Sequence, residues 1–303
     1  MDDQVSHNKR RSYVLLALSF LLVAAVVWAV TALIGLGWSG VAIALLVAAG
    51  TSAAAWWGSE RVALRVSRAE PADPVEHARL HNLVEGLCIA SGLSKPGIYV
   101  IDDAAPNAFA TGRSPHHASI AVTTGLLEMM NRVELEAVLA HELSHVKNDD
   151  VLVDTLAVTC VGAVAILSDV AIRFMWWNGG RRGRDDRQAS GGPLVVIAVF
   201  GFALLALAPL VARLLQFAVS RRREALADVS AVEMTRYPPA LVSALGKLRD
   251  DTTVVHASSR ATAHLWIESP IARVDSEGRL AKLNRLFDTH PPIDERIAAL
   301  QEL

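Results

Sequence analysis

Residues 133–146 read Val133-Glu134-Leu135-Glu136-Ala137-Val138-Leu139-Ala140-His141-Glu142-Leu143-Ser144-His145-Val146. The stretch contains no Gly or Pro, and its apolar residues recur at helical spacing, which predicts one amphipathic helix. Asn131 and Glu134 are three residues apart and form a capping box that marks where this helix begins. Residues four apart lie nearly above one another on a helix, so His141 and His145 present two imidazoles on one face. The stretch therefore predicts a helix that offers a pair of metal ligands.

Glu142 follows the first of these histidines by one position. That places it about 100° around the helix, beside the two imidazoles. The H-E-x-x-H arrangement is typical of zinc peptidases, in which the histidines hold Zn²⁺ and the carboxylate takes a proton from the bound water. The alternative is a chance pattern on a solvated helix face. We interpret the motif as the centre of a metalloenzyme.

The composition indicates a chain that is partly membrane-embedded and partly soluble. Its 303 residues are 52% hydrophobic and 20% charged, whereas soluble domains are about a quarter charged. The formal net charge is −2, and no basic domain stands out, so no nucleic-acid partner is expected. Cys88 and Cys160 lie far apart and predict no disulfide framework; we interpret both as small buried hydrophobes.

Two apolar runs near the start of the chain predict a membrane hairpin over residues 1–57. Residues 13–36 carry no charge, and about 24 residues at about 1.5 Å each reach roughly 36 Å, more than a bilayer core of about 30 Å. No small-residue cleavage site followed by polar sequence occurs here, so the run is interpreted as a retained anchor and not a signal peptide. A second, Ala-rich run covers residues 41–57.

Basic residues on both sides of the hairpin predict its orientation. They stand at positions 9–11 before it and at 61, 65 and 68 after it, and such residues mark the cytoplasmic side. Residues 58–150 are then expected to form the first part of a cytoplasmic protease domain.

This first part is expected to be a small α+β unit around the HExxH helix. Pro71-Ala72-Asp73-Pro74 is interpreted as a linker, and residues 75–91 as an amphipathic helix. Residues 97–101, 107–111 and 119–122 are predicted to be three short strands, because they are bounded by Asp, Pro and Gly.

Two further apolar runs, within residues 151–212, interrupt the predicted protease domain. We expect the HExxH helix to continue through Asn148-Asp149-Asp150 into residues 151–172. That run is either a spanning helix with its acidic residues at the two interfaces or a helix buried against protein. After a Gly/Arg/Asp-rich loop at 173–192, residues 193–212 form an uncharged run of membrane length. The arginines of the loop oppose an external position, so a re-entrant pair remains the alternative to two full spans.

A catalytic zinc needs a third protein ligand. The second part of the predicted protease domain, residues 213–303, contains Ser220-Arg221-Arg222-Arg223-Glu224-Ala225-Leu226-Ala227-Asp228. Glu224 and Asp228 are four apart and share a helix face. Glu224 could complete a His₂Glu site, and Asp228 could orient one imidazole through its second nitrogen. The alternative for Glu224 is a surface carboxylate in a charge cluster.

These motifs resemble the HtpX-type integral-membrane zinc metalloproteases, relatives of the CAAX prenyl proteases. Besides the two stretches above, the resemblance covers Asn107-Ala108-Phe109-Ala110-Thr111-Gly112 and Thr289-His290-Pro291-Pro292. It implies a mostly helical α+β fold: a gluzincin-like protease domain with a small sheet, interrupted by and attached to about four transmembrane helices. It also implies that His141, His145 and Glu224 hold one Zn²⁺ per chain.

The resemblance implies a substrate-binding strand at Asn107, Ala108, Phe109 and Ala110. In the family this is the active-site edge strand, to which an extended peptide adds by backbone hydrogen bonds. The alternative is a plain edge strand without a role in binding.

Two residues near the end of the chain are implied to be catalytic. His290 and Arg296 match the family's H-P-x-x-x-x-R pattern, whose His and Arg lie near the metal and stabilise the oxyanion of the tetrahedral intermediate. From the residues alone, His290 is a turn histidine before two prolines. Residues 250–288 show no derivable chemistry and are expected either to line the substrate groove or to act as a lid. The other histidines, including the helical pair His77 and His81, are interpreted as non-ligands.

The resemblance implies a zinc-dependent metalloendopeptidase of the bacterial cytoplasmic membrane, with its active site facing the cytoplasm, acting in quality control of damaged or misfolded membrane proteins. Peptide or membrane-protein substrates and the lipid bilayer are the expected partners, and the oligomeric state is not predicted. One alternative is a prenyl-protein peptidase, although that branch carries more spans than this chain can hold. The other is a catalytically silent membrane scaffold, which would have no need to keep Glu142.

Overall fold

The structure is a computed structural model that describes residues 36–153, 155, 221–255, 265–267 and 291–303, together with scattered positions between 10 and 31. This part of the chain is mostly helical with one small mixed sheet. The predicted loop at 173–192 and the predicted run at 193–212 lie outside the described residues.

The first long helix, α1, covers Gly37–Val66. Within the described ranges it is the helix that is long and apolar enough to cross a membrane. Trp38, Leu46 and Trp57 are exposed on it, and such a large apolar surface is unfavourable in water. The predicted boundary at residue 57 falls inside this helix. The described positions between 13 and 31 are also helical, and the other positions of the predicted first run before Leu36 lie outside the described residues.

A sheet of four strands lies beside the HExxH helix. The strands are β1 (Glu70–Pro71), β2 (Gly97–Ile101), β3 (Ala108–Ser114) and β4 (His117–Thr123), in the order β1-β2-β4-β3. β2 and β4 are parallel, and the other two pairings are antiparallel. The three predicted strands are present. The predicted linker begins with Pro71, the second residue of β1. A strand of two residues has no periodic pattern, so the sequence could not predict it.

The helices that surround the sheet follow most of the predicted pattern. They are α2 (Ala78–Ser91), α3 (Thr124–Met129), α4 (Arg132–Lys147), α5 (Arg221–Thr235), α6 (Pro238–Asp250) and α7 (Ile293–Gln301). α2 begins later than the predicted residue 75, because the chain forms a turn there. α2, α4 and α6 form the main core with one face of the sheet.

Alternation along β3 places its side chains on two different faces. Ala108 and Ala110 belong to the core that contains α4, and their small size lets the HExxH helix lie close to this strand. Phe109 faces the other way and packs with Leu64 of α1 and with Trp266. β3 is therefore held between the HExxH helix α4 and the end of the apolar helix α1.

The capping box at the start of α4 is confirmed. Asn131 Oδ1 accepts hydrogen bonds from the backbone N–H groups of Val133 and Glu134 at 2.9 and 3.0 Å. Glu134 Oε2 accepts one from the Asn131 N–H at 2.9 Å. Three backbone donors are thus satisfied at a helix end that would otherwise leave them unpaired.

The predicted continuation of α4 through residues 148–150 is wrong. α4 ends at Lys147, Asn148 caps it, and Asp149 adopts a left-handed conformation with φ 57°. Asn and Asp tolerate the left-handed region better than most residues. The polar stretch between the two apolar segments therefore ends the helix instead of continuing it. The helical conformation resumes at Asp150, and the break turns this residue back toward α4.

We expect Asn131→Ala to lower the free energy of unfolding by about 1 kcal/mol, because the Val133 and Glu134 N–H groups lose their acceptor. Unfolding of the detergent-solubilised chain, followed by circular dichroism, measures the change. Arg132→Ala, an exposed substitution in the same turn, is the matched control. Equal stability of the two variants would contradict the role of the cap.

Candidate metal centre

Three buried side chains bring their ligand atoms together between α4 and α5. The Nε2 atoms of His141 and His145 are 3.2 Å apart. Glu224 Oε2 lies 3.6 Å from His141 Nε2, and its Oε1 lies 3.6 Å from His145 Nε2. Ligands at about 2.0 to 2.2 Å from a tetrahedral zinc are about 3.3 to 3.5 Å from one another. The group therefore has the size of a zinc site.

Small residues on α5 allow this convergence. Glu224, Ala227, Asp228 and Ala231 follow the spacing of one helix face, and all four are buried. The two alanines let the backbone of α5 approach α4, and the two carboxylates on the same face then reach the imidazoles. One helical stripe thus supplies both the packing and the polar groups.

Each imidazole has a carboxylate at its other nitrogen. Asp228 Oδ1 lies 2.9 Å from His141 Nδ1, and Asp150 Oδ2 lies 3.2 Å from His145 Nδ1. A carboxylate accepts a hydrogen bond from Nδ1–H and thereby leaves the Nε2 lone pair free for a metal. Both rings are therefore oriented with Nε2 toward Glu224.

Asp150 is the site residue that the sequence analysis missed. The predicted continuous helix would place Asp150 away from the histidines, whereas the break at Asp149 brings it to His145. Asp150 Oδ1 also lies 3.8 Å from Arg223 Nη1. The signal available in the sequence was the Asn148-Asp149 pair, which favours a left-handed turn.

Arg296 is buried beside the site and contacts Asp228 with two nitrogens. Its Nε and Nη2 donate to Asp228 Oδ2 and Oδ1 at 2.9 and 2.6 Å. Its Nη1 lies 4.0 Å from Glu224 Oε2. The guanidinium group thus fixes the carboxylate that orients His141. His290, predicted to act with it, lies outside the described residues.

The charges of the site call for a cation. Among the residues that the structure describes, four carboxylates at −1 and two guanidinium groups at +1 leave −2 when the imidazoles are neutral, which is the charge that one divalent ion would balance. These charged side chains are all buried, and they are Glu142, Asp150, Glu224, Asp228, Arg223 and Arg296.

The pKa values show the same excess of negative charge. Burial opposes the charged form of His145, but the carboxylates of Glu224 and Asp150 raise its pKa to about 10. Burial and Arg296 oppose the charged form of His141, yet Asp228 and Glu224 raise its pKa too. A metal ion and protons would compete for these imidazoles, because ligation requires the neutral ring.

The remaining predicted residues lie close to this group. Glu142 is buried next to His141, and its charge helps to raise the pKa of His145. Asn107 precedes β3 and accepts a hydrogen bond from the Ala108 N–H through Oδ1 at 3.0 Å. β3 is the outermost strand on its side of the sheet. His81 is half-buried, and its Nε2 lies 3.1 Å from the Ala72 carbonyl oxygen, so it ties α2 to the β1 segment.

The domain is mostly helical α+β, and Glu224 of α5 completes a buried His₂Glu group with the two histidines of the HExxH helix α4. These features define the class of protein, a metallopeptidase. Comparison with known families then gives the family: residues 74–303 match the description "Peptidase family M48". The chain belongs to peptidase family M48.

Curated relatives extend over nearly the whole chain. It is 38% identical over 298 residues to the "Protease HtpX homolog" of Thermoanaerobacter pseudethanolicus, a match that covers 98% of this chain and 96% of that protein. It is 43% identical over 268 residues to the "Protease HtpX homolog" of Tropheryma whipplei strain Twist, covering 88% and 87%. The predicted resemblance to HtpX-type proteases is confirmed. The crystal structure of S. mikatae Ste24p is 19% identical, with a TM-score of 0.45, over 82% of this chain and 55% of that chain.

We expect Asp150→Asn to weaken metal binding by about 10- to 100-fold, because the amide no longer fixes the His145 ring as a charged acceptor. Competition between the purified chain and a chelator of known affinity measures this change. The exposed Asp102→Asn is the matched control. Unchanged zinc affinity in Asp150→Asn would show that this carboxylate does not support the site.

Proposed function

We propose that the chain is a membrane-anchored zinc endopeptidase with His141, His145 and Glu224 as its metal ligands. The observation that carries the proposal is the convergence of their three ligand atoms within 3.6 Å, with a carboxylate on the far nitrogen of each ring. When bound there, Zn²⁺ would polarise a scissile carbonyl and lower the pKa of a water. The donor set is one that catalytic zinc sites use.

Glu142 is proposed as the general base. It follows His141 on α4, is buried at the edge of the ligand group, and takes a proton from the attacking water before passing it to the leaving amine. The intact HExxH set favours an active enzyme over a silent scaffold, since a scaffold gains nothing from a buried carboxylate at this position.

Arg296 is proposed to act on the transition state together with His290, as the family resemblance implies. The contacts of Arg296 add a second task, because its two hydrogen bonds to Asp228 hold the carboxylate that orients His141. Its positive charge lies close enough to the ligands to favour negative charge that develops on the substrate oxygen.

The proposed substrates are extended segments of damaged or misfolded membrane proteins in the bacterial cytoplasmic membrane. Two features support this setting. α1 is long and apolar enough to span a bilayer, and its last turns pack directly on the sheet, where Glu60 Oε1 accepts a hydrogen bond from Ser119 Oγ at 2.6 Å. This packing supports an active site close to the membrane surface, and the basic residues favour its cytoplasmic side.

Asn107, Ala108, Phe109 and Ala110 are proposed to bind the substrate backbone. β3 lies next to α4, so a peptide added to its outer edge would run past the zinc ligands.

We expect Glu142→Gln to keep full zinc content and to lose at least about 100-fold in turnover, because the amide cannot accept the proton. Zinc is measured by elemental analysis, and turnover by autolysis in detergent with and without a chelator. Glu233→Gln, an exposed substitution on α5, is the control. Chelator-sensitive autolysis of Glu142→Gln at the wild-type rate would contradict the assignment of the base.

Four transmembrane spans, including residues 151–172 and 193–212, are part of the proposal. A reporter fused within the loop at 178–190 should then be labelled from outside the cell. A fusion at residue 250, in the second part of the protease domain, is the internal control. Labelling of the loop only from the cytoplasm would favour the re-entrant pair instead.

A further inference from the structure

The outer edge of β3 is in contact with a segment of the chain itself, residues 265–267. Ile267 donates its backbone N–H to the Ala108 carbonyl oxygen at 2.9 Å. The indole of Trp266 packs edge-on against Phe109, with ring centroids 4.8 Å apart. Trp266 and Ile267 are 0% and 1% exposed. A backbone hydrogen bond to a strand edge, with a neighbouring side chain in an apolar pocket, is the pattern by which peptides add to sheets.

The register of β3 shows which backbone groups this edge offers. The Asn107 carbonyl accepts a hydrogen bond from the Thr123 N–H of β4 at 3.0 Å. In an antiparallel pair, alternate residues point to the partner strand, so Phe109 also bonds to β4, whereas Ala108 and Ala110 direct their backbone groups outward. The Ala108 carbonyl is thus one of the few acceptors on the edge that a substrate would use.

Both ends of this edge are engaged by the chain. At one end, Ile267 takes the Ala108 carbonyl. At the other, the Gly112 N–H donates to Thr155 Oγ1 at 3.1 Å. Ala110 lies between them, and a peptide that bonds to Ala110 and continues toward Ala108 must take the position that Ile267 holds.

The same segment reaches the metal centre through Arg296. The Ile267 carbonyl oxygen lies 3.5 Å from Arg296 Nη1, and this guanidinium group holds Asp228 on His141. Residues 265–267 therefore lie between the strand edge and the metal ligands, where a scissile peptide would have to lie.

Trp266 is docked with one polar group unsatisfied. Its Nε1–H is buried and has no hydrogen-bond partner in the part of the chain that the structure describes. A buried donor without an acceptor weakens the bound state. The segment is therefore held less tightly than it would be with an acceptor for the Trp266 N–H. This favours displacement of the segment by a peptide.

We propose that residues 265–267 are an internal ligand of the substrate groove, which occupies the Ala108 end of the β3 edge until an extended, unfolded segment with an apolar side chain for Phe109 displaces it. The inference rests on the proposed endopeptidase function and adds an autoinhibitory contact to it. The sequence left two alternatives for residues 250–288, a wall of the substrate groove or a lid. The proposal assigns residues 265–267 of this region to the groove itself.

Ile267→Pro tests the proposal, because proline removes the N–H that bonds to Ala108. In the zinc-loaded full chain, kcat/KM for dye-labelled casein, an unfolded protein, should rise about three- to tenfold, mainly through KM, as the competing contact is lost. Ile267→Val is the matched control, because it keeps the N–H and removes only one methyl group from the buried side chain; it should raise kcat/KM less than Ile267→Pro does.

A second measurement does not depend on how the proline variant folds. Hydrogen exchange of the Ile267 amide is followed in zinc-loaded Glu142→Gln, with and without saturating casein. Displacement should make this amide exchange faster when casein is bound.

Two results would overturn the inference. One is a kcat/KM of zinc-loaded Ile267→Pro equal to or below that of Ile267→Val, and the other is an Ile267 amide that stays protected from exchange when casein is bound. Both results can be told apart from failure of the proposed function, because in that case the wild type itself shows no zinc-dependent cleavage. The inference would then be wrong as well, since it rests on that function.

Discussion

The packing of α5 against α4 is the constraint on which the site depends. The two histidines come from one helix, but the third ligand atom is supplied from beyond more than seventy residues of intervening chain, and only close helix packing brings it within 3.6 Å of both imidazoles. Ala227 and Ala231 allow that approach because they place no bulk between the helices. Larger side chains there would separate the ligand atoms while leaving every ligand in the sequence.

Burial then determines what the assembled group can be. Isolated charges are expensive in a protein interior, yet the described part of the site buries more carboxylates than guanidinium groups. Without a cation, the imbalance draws protons to His141 and His145, whose pKa values are raised. With a divalent ion, the same carboxylates would orient neutral rings. The hydrogen bonds that Arg296 donates to Asp228 and that His145 donates to Asp150 are thus part of one electrostatic arrangement, and substitution of one member changes the others.

Much of this arrangement could be predicted from the sequence because it is local. The capping box, the spacing of His141 and His145, and the three longer strands depend on residues a few positions apart, and periodicity reports them directly. Spacing alone left Glu224, whose partners are remote, as either a third ligand or a surface carboxylate, and the resemblance to a known family favoured the ligand. The role of Asp150 and the strand β1 were not predicted, because each depends on a turn or a strand pairing that leaves no periodic pattern in the sequence. The contact of Trp266 was not predicted either, because its partner Phe109 is remote in the sequence.

The end of α1 connects the site to its setting. Leu64 packs with Phe109 and Trp266 on the face of the sheet opposite α4, so the apolar helix, the strand edge and the metal centre form one continuous structure.

The most direct test of the account is anomalous scattering at the zinc edge from crystals of the purified, zinc-loaded full chain. The account predicts one peak within about 2.0 to 2.2 Å of His141 Nε2, His145 Nε2 and a Glu224 oxygen. A zinc peak elsewhere, or one that Glu224 does not approach, would contradict it.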